Sequence, residues 1–433
     1  MNTATIEQVQ ARQIFDSRGR PTVEVDVLLT GGQTGRACAP SGASTGRHEA
    51  FELRDGNAGS YGGLGVGRAV GHVNGEICAA LKGMPANDQS AVDHTLTALD
   101  GTPQLARLGG NAVIATSLAV CRAAALHAQM PLHRYINTLT PGRPMTLPMP
   151  MVNILSGGAH ARNGMDLQDL LAVPLSATSY SQALAMVLAV RASAAELMVQ
   201  RGLSSLLADE GGLSPGFKDP REALELMVAA FKAARLEPGR DMGIAIDVAA
   251  SELFNDGAYR LACQQLVLDG PGMSGFLGDI LSGYPVVSIE DPLDQDDWVH
   301  WKTFTTRFGH CQVVGDDLFV TSAERISRGI DEKVANAALI KVNQNGTLSG
   351  TLQAMRMAWS AGYATVVSAR SGETDDSFIA DLAVGTGAGQ IKIGSVRNSE
   401  RLAKYNQLLR IEAMDAMPFS GRAALAGRLP RRP

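Results

Sequence analysis

Cysteine is scarce and unorganised: Cys38, Cys78, Cys121, Cys263 and Cys311 are five in 433 residues, an odd number with no CxxC spacing. That excludes a disulfide framework and a cysteine-built zinc site, and it reads as buried thiols in a reducing cytoplasm. No block of Lys or Arg breaks the formal charge of -5, which argues against general nucleic-acid binding and leaves small anions to a local basic pocket. Long apolar runs are missing too. Residues 183–190 form the longest, are cut by Arg191, and fall far short of the ~20 residues of a membrane span. Residues 1–10 are polar and lack the apolar stretch of a secretory signal. The expectation is a cytoplasmic protein with neither membrane nor nucleic acid as partner. Residues 62–67 look like a phosphate loop but have no G-x-G-x-x-G spacing and no following Walker lysine, so they read as a flexible connector. Residues 421–433, with four arginines and two prolines, read as a solvated, partly disordered tail.

What is present is organised in two parts. The length suits a large barrel plus an accessory domain better than one small core. Val23, Val25 and Val27 alternate with Glu24 and Asp26, the period-two pattern of a half-buried strand, and Gly31-Gly32 then turns the chain into an antiparallel hairpin. Residues 111–129 read as an alanine-rich helix ended by Pro131. Four prolines between 140 and 150 mark a linker or entry strand, which puts an α+β domain at 1–139 and a second domain at 140–433. In the second, helices are expected around 181–201, closed by Gly202, and from Asp219-Pro220, with Glu222 at the capping-box position.

A repeat follows. Short apolar runs end in turn at Asp247, Glu290, Asp316, Lys341, Arg370 and Lys392, at intervals that suit one strand plus one helix. That cadence predicts a parallel βα barrel, an α/β fold of the TIM type, whose strand ends converge on one face. Any single charge after a strand is more often a loop start than a ligand, but six in register point to a site. Asp247, Glu290 and Asp316 would bring three carboxylates together, a hard-oxygen set that suits Mg²⁺. Buried without a cation they would repel one another. Lys341 and Lys392 would share that face. A lysine beside a divalent metal and a second lysine has its ammonium form disfavoured and can serve as a base.

Nine stretches carry a resemblance: Asp16-Ser17-Arg18-Gly19, Ser41-Gly42-Ala43-Ser44-Thr45-Gly46, Gly157-Gly158-Ala159-His160, Asp209-Glu210-Gly211-Gly212, Ser288-Ile289-Glu290-Asp291, Gly315-Asp316-Asp317-Leu318, Lys341-Val342-Asn343-Gln344, Arg370-Ser371-Gly372-Glu373-Thr374 and Gln390-Ile391-Lys392. Together, and in this order over nearly the whole chain, they resemble the enolase family. The resemblance implies an enolase-like barrel capped by the amino-terminal domain, working as a homodimer. It implies elimination of water from a small phosphorylated hydroxy acid such as 2-phosphoglycerate, with two Mg²⁺ per site. On that reading Lys341 takes the C2 proton, Glu210 protonates the leaving hydroxide, Asp169 supports this acid–base pair, and His160, also counted as catalytic, caps the phosphate from a loop. Asp247, Glu290 and Asp316 hold the tight metal, and Ser44, in a mobile loop, helps hold the second. Arg370 and Ser371 grip the phosphoryl group, Lys392 the carboxylate, and Gln168 also binds substrate. Asp291 and Asp317 read as supporting or capping groups.

Three positions depart from the family pattern: Asp169 stands where the family has Glu, Ala369 where it has an active-site His, and Ile393 where it has Thr. Acid, base and metal carboxylates are intact, so the departures point to a specialised paralogue acting on a phosphorus-substituted analogue. Among such specialised enzymes the chain looks most like the carboxyphosphonoenolpyruvate synthases of phosphonate antibiotic biosynthesis. A different class, a non-catalytic relative with a binding role, would show decay of those groups, and none is seen.

Overall fold

The computed structural model describes residues 4–161, 164–204 and 206–425. The chain opens with a three-stranded antiparallel sheet, β1 (Ile6–Phe15), β2 (Pro21–Leu29) and β3 (Thr34–Cys38), in that order. The expected hairpin is β2–β3, with Gly32 at φ +82° in its turn. Val23, Val25 and Val27 are fully buried, while Glu24 and Asp26 on the other face pair with Arg12 and Arg36. The buried face packs on the helix Gly110–His127, which is apolar nearly all round because it is also covered by helices on its far side.

The barrel strands are β4 (Met149–Ser156), β5 (Asp169–Pro174), β6 (Met242–Asp247), β10 (Val286–Glu290), β11 (Gln312–Gly315), β12 (Ala337–Ile340), β13 (Ala364–Ser368) and β14 (Gly389–Gly394). A small antiparallel sheet, β7 (Phe254–Asn255), β8 (Ala258–Leu261) and β9 (Leu266–Leu268), lies in sequence between β6 and β10. The ring closes in the order β10-β11-β12-β13-β14-β4-β5-β6. One strand departs from the expected parallel pattern: β5 runs antiparallel to both neighbours. Among the described residues only the single turn Gly158–Ala161 lies between β4 and β5, and a strand that follows its neighbour without a crossover helix must return in the opposite direction.

Side chains of alternate residues fill the barrel interior, among them Met149, Leu171, Val287, Val314, Leu339 and Val366. Leu425 joins them fully buried, so the carboxyl-terminal segment is not all loose tail as expected. Gly421–Leu425 forms a turn over that end of the barrel, and residues 426–433 of the expected tail lie outside the described residues. The expected flexible connector is also built: Asp55 accepts from Gly67 N and Arg68 N, both at 2.9 Å, and caps the helix Gly67–His72. The helix Tyr180–Gln200 is long and apolar enough by composition to cross a membrane, contrary to the expectation drawn from uninterrupted runs. It packs on β4 and β5, and its Arg191 donates to Ser395 Oγ (3.0 Å) and Gly211 O (3.1 Å).

Candidate active site

Six strand ends deliver the charged groups to one mouth. Asp247 closes β6 and Glu290 closes β10, Asp316 follows β11, Lys341 follows β12, Arg370 lies just beyond β13, and Lys392 points inward from β14. Neighbouring Ile393 faces the other way by strand alternation and is buried in the packing outside the barrel. Asp291 accepts from Asp316 N and Asp317 N, each at 2.8 Å, and so braces the loop after β11.

The carboxylates and lysines neutralise one another in pairs. Lys392 Nζ lies 2.7 Å from Asp247 Oδ2 and 2.8 Å from both oxygens of Glu290. Lys341 Nζ lies 2.5 Å from Asp316 Oδ2, whose other oxygen accepts from Gln344 Nε2 at 2.8 Å. Burial and the neighbouring Asp247 push Glu290 well above the usual carboxylate range. Burial works to lower Lys341, but Asp316 and Glu290 together outweigh it and raise the ammonium above its ordinary value. That is opposite to the direction expected for a base: the acid partner beside Lys341 was not visible as a contact in sequence. Among the described residues, two trios have ligand atoms within 4.8 Å of one another, His160–Asp169–Glu210 and Asp291–Asp316–Asp317.

The acid side is built from the β4–β5 turn and the segment that carries Glu210. His160 Nδ1 lies 2.9 Å from Asp169 Oδ2, and Nε2 of the same ring is 3.8 Å from Glu210 Oε1. Asn153 Nδ2 donates to Glu210 Oε2 at 3.2 Å, and Ser156 Oγ to Asp169 Oδ1 at 2.6 Å. Burial disfavours a charged His160, but Asp169 and Glu210 prevail and raise it to about 9. Burial likewise works to raise Glu210, yet His160, Arg401, Lys392 and Lys341 hold it below its ordinary value. Gln168 Nε2 donates to Asp247 Oδ2 at 3.3 Å.

Arg370 arrives already engaged. Its guanidinium meets Glu49 Oε2 at 2.8 Å, Asn343 Oδ1 at 3.1 Å and the Ser44 carbonyl at 2.9 Å, which ties the 41–49 loop over the mouth. Ser371 Oγ accepts from Arg18 at 3.4 Å, and Arg401, fully buried, donates to the carbonyls of Arg370, Ser371 and Ile393. Ala43, Ser44, His160, Gln168, Glu210, Asp247, Lys341, Ala369, Arg370, Ser371 and Lys392 all line one narrow cleft. Sequence reading missed Glu49, Gln344, Arg401, Asn153 and Ser156. Glu49, a carboxylate just past the Gly42–Gly46 loop, was the one with a readable signal.

A small polar cleft in which a lysine, a carboxylic acid and a cluster of buried carboxylates meet at the ends of barrel strands belongs to a barrel enzyme of proton-transfer chemistry. The family model for the C-terminal TIM barrel domain of enolase matches residues 144–427, and that for the enolase N-terminal domain matches residues 6–136. The enolases of Legionella pneumophila strains Corby and Paris are 48% and 49% identical to it over 421 residues, 97% of this chain and 99% of each of theirs. The chain belongs to the enolase family. It is thus an enzyme of the enolase superfamily, a carbon–oxygen lyase of the hydro-lyase kind.

Proposed function

We propose that the enzyme removes the C2 proton and then water from 2-phosphoglycerate or a phosphorus-substituted analogue, giving an enolpyruvate ester. The observation that carries this is that Lys341 and Glu210 line the same cleft from different parts of the ring, Lys341 after β12 and Glu210 beside β4, three strands on. Base and acid then act on different sides of one small substrate, Lys341 on C2–H and Glu210 on the leaving hydroxyl. His160 and Asp169 support Glu210, while Arg370 and Ser371 would hold the phosphoryl group, Gln168 and Lys392 the carboxylate. In the same reading residues 1–139 cap the catalytic unit 140–433, and the working form is a cytoplasmic homodimer.

The donor set fits Mg²⁺. Asp247, Glu290 and Asp316 offer buried carboxylate oxygens, and Asp247 and Asp316 both work to raise Glu290, which a cation among them would relieve. With Ser44 for a second ion, these residues would hold it, and bound there it supplies electrostatic stabilisation of the charge that develops on the substrate carboxylate. Arg370 and Lys392 work to lower Lys341 and Asp316 to raise it, so a cation held by Asp316 would favour the neutral amine. Substrate anion in the cleft weakens the cationic field that ionises Glu210, moving it towards the protonated form an acid needs.

Ala369 supports the specialised branch of this reading. It lines the cleft between Ser368 and Arg370, where an imidazole would occupy space beside the phosphate-holding groups. Its small side chain leaves room for a bulkier phosphorus substituent such as a carboxylate, which a carboxyphosphonoenolpyruvate synthase would need. For 2-phosphoglycerate the lost partner costs roughly 1 to 3 kcal/mol, or about tenfold to a hundredfold in kcat/KM. Comparing wild type and Ala369→His on both compounds tests it. The wild type is expected to favour the analogue and the variant to reverse the order. A wild type that dehydrates 2-phosphoglycerate with ordinary enolase efficiency leaves plain enolase. The non-catalytic alternative would leave the base, acid or carboxylates decayed, whereas Lys341, Glu210 and Asp247 all line the cleft.

A further inference from the structure

Ser156 ends β4, is 1% exposed, and makes two separate connections there. Its backbone N–H donates to Leu213 O at 2.8 Å, which docks the segment carrying Glu210 against β4. Its hydroxyl donates to Oδ1 of Asp169, its partner across the antiparallel β4–β5 ladder, at 2.6 Å. Gly212 makes the room for that hydroxyl, because a Cβ at 212 would lie 2.2 Å from Ser156 Oγ. With Oδ1 so fixed, Oδ2 of Asp169 meets His160 Nδ1 at 2.9 Å, and Nε2 of the same ring looks towards Glu210 Oε1 at 3.8 Å.

A carboxylate can rotate between several hydrogen-bonding poses, and a donor on its far oxygen selects one of them. We propose that Ser156 is a positioning residue for the acid half of the reaction: by fixing Asp169 it sets the tilt of the His160 ring, and so which nitrogen faces Glu210. The catalytic part of this inference rests on the dehydration reading above. None of the groups involved is a proposed metal ligand. His160 is raised because Asp169 and Glu210 together overcome the effect of burial. A poorer meeting of Asp169 with Nδ1 must therefore appear in the titration of the ring, with or without turnover.

The test uses full-length wild type, Ser156→Ala and Ser156→Thr, which keeps the hydroxyl. The His160 imidazole is titrated by NMR with and without Mg²⁺. Then kcat, KM and C2-proton exchange are measured on 2-phosphoglycerate and on its phosphorus-substituted analogue. Ser156→Ala is expected to titrate His160 lower by about one pH unit and to lower kcat about tenfold. KM should change little, C2 exchange should persist, and Ser156→Thr should recover most of both losses. An unchanged His160 titration in Ser156→Ala overturns the proposal, and so does a parallel loss of exchange and elimination, which would mean a merely structural role. The titration needs no substrate. A wild type inactive on every compound would therefore sink the dehydration reading, while the Ser156–Asp169–His160 coupling is still judged by the titration.

Discussion

Lys341 and Glu210 line one cleft but are held by different partners, Lys341 by Asp316 and Glu210 by Asn153 and the nearby His160. If they act in sequence, removing each should stop the reaction at a different point. Lys341→Ala is expected to abolish exchange of the substrate C2 proton with solvent, whereas Glu210→Gln should keep exchange and block elimination. Proton NMR in deuterated buffer reads both, and exchange at the wild-type rate in Lys341→Ala would mean the roles are misassigned. The three family departures also separate at this scale. Ala369 lines the cleft, where the proposed substrate choice would be made, and Asp169 is braced by Ser156 and His160. Ile393 is core packing, with no part in substrate contact that the geometry supports.

Elements set how those residues meet. The turn from β4 to β5 brings His160 and Asp169 together, and it closes only because Gly157 has no side chain: a Cβ there would lie 2.4 Å from Leu167 O and 2.7 Å from Met165 Cβ. Gly157→Ala is expected to destabilise the protein by about 1 to 3 kcal/mol and to lower activity more than substrate binding. Urea unfolding measures the first, and an unchanged midpoint would show that the turn has slack. Helix Leu132–Thr138 is joined to the barrel's last helices through buried His133, which lies 2.7 Å from Asp415 and 3.4 Å from Asp381. Arg134 also pairs with Asp415, and Gln407 donates to Asp381. Burial opposes the charged ring, but the two carboxylates prevail and raise His133 above its ordinary value. A raised folded-state value means stability that is fully present below the unfolded imidazole value of ~6.5 and is lost as pH rises through the folded one. His133→Gln should be less stable than wild type at pH 6, with the gap narrowing as pH increases. A constant gap in thermal melts across that range would falsify the linkage.

At the scale of the molecule, most of the stability lies in apolar layers that need no ion, inside the barrel and between barrel and helices, while the mouth buries charges of both signs in close ion pairs. Chelation of Mg²⁺ is therefore expected to abolish activity reversibly and to leave the far-UV circular dichroism unchanged. Full turnover in metal-free buffer would remove the metal from the mechanism.

Much of this was legible in the sequence, since local pattern and strand periodicity are sequence properties. The Val23–Val27 alternation fixed the hairpin, the proline cluster marked the entry to β4, and the polar ends of apolar runs named the six charged residues of the mouth. The family motifs added Glu210 and His160. What the sequence could not show were relations between distant residues. The reversal of β5 depends on a missing crossover, and the burial of Leu425 on where the tail lands. The grip of Glu49 on Arg370 spans 321 residues and the pairing of Lys392 with Asp247 spans 145. Sequence determined which chemical groups reach the mouth, because strand ends are set locally. Only the tertiary structure decided which of them neutralise each other, because Coulomb interaction and desolvation depend on distance and burial, and neither is a property of spacing along the chain.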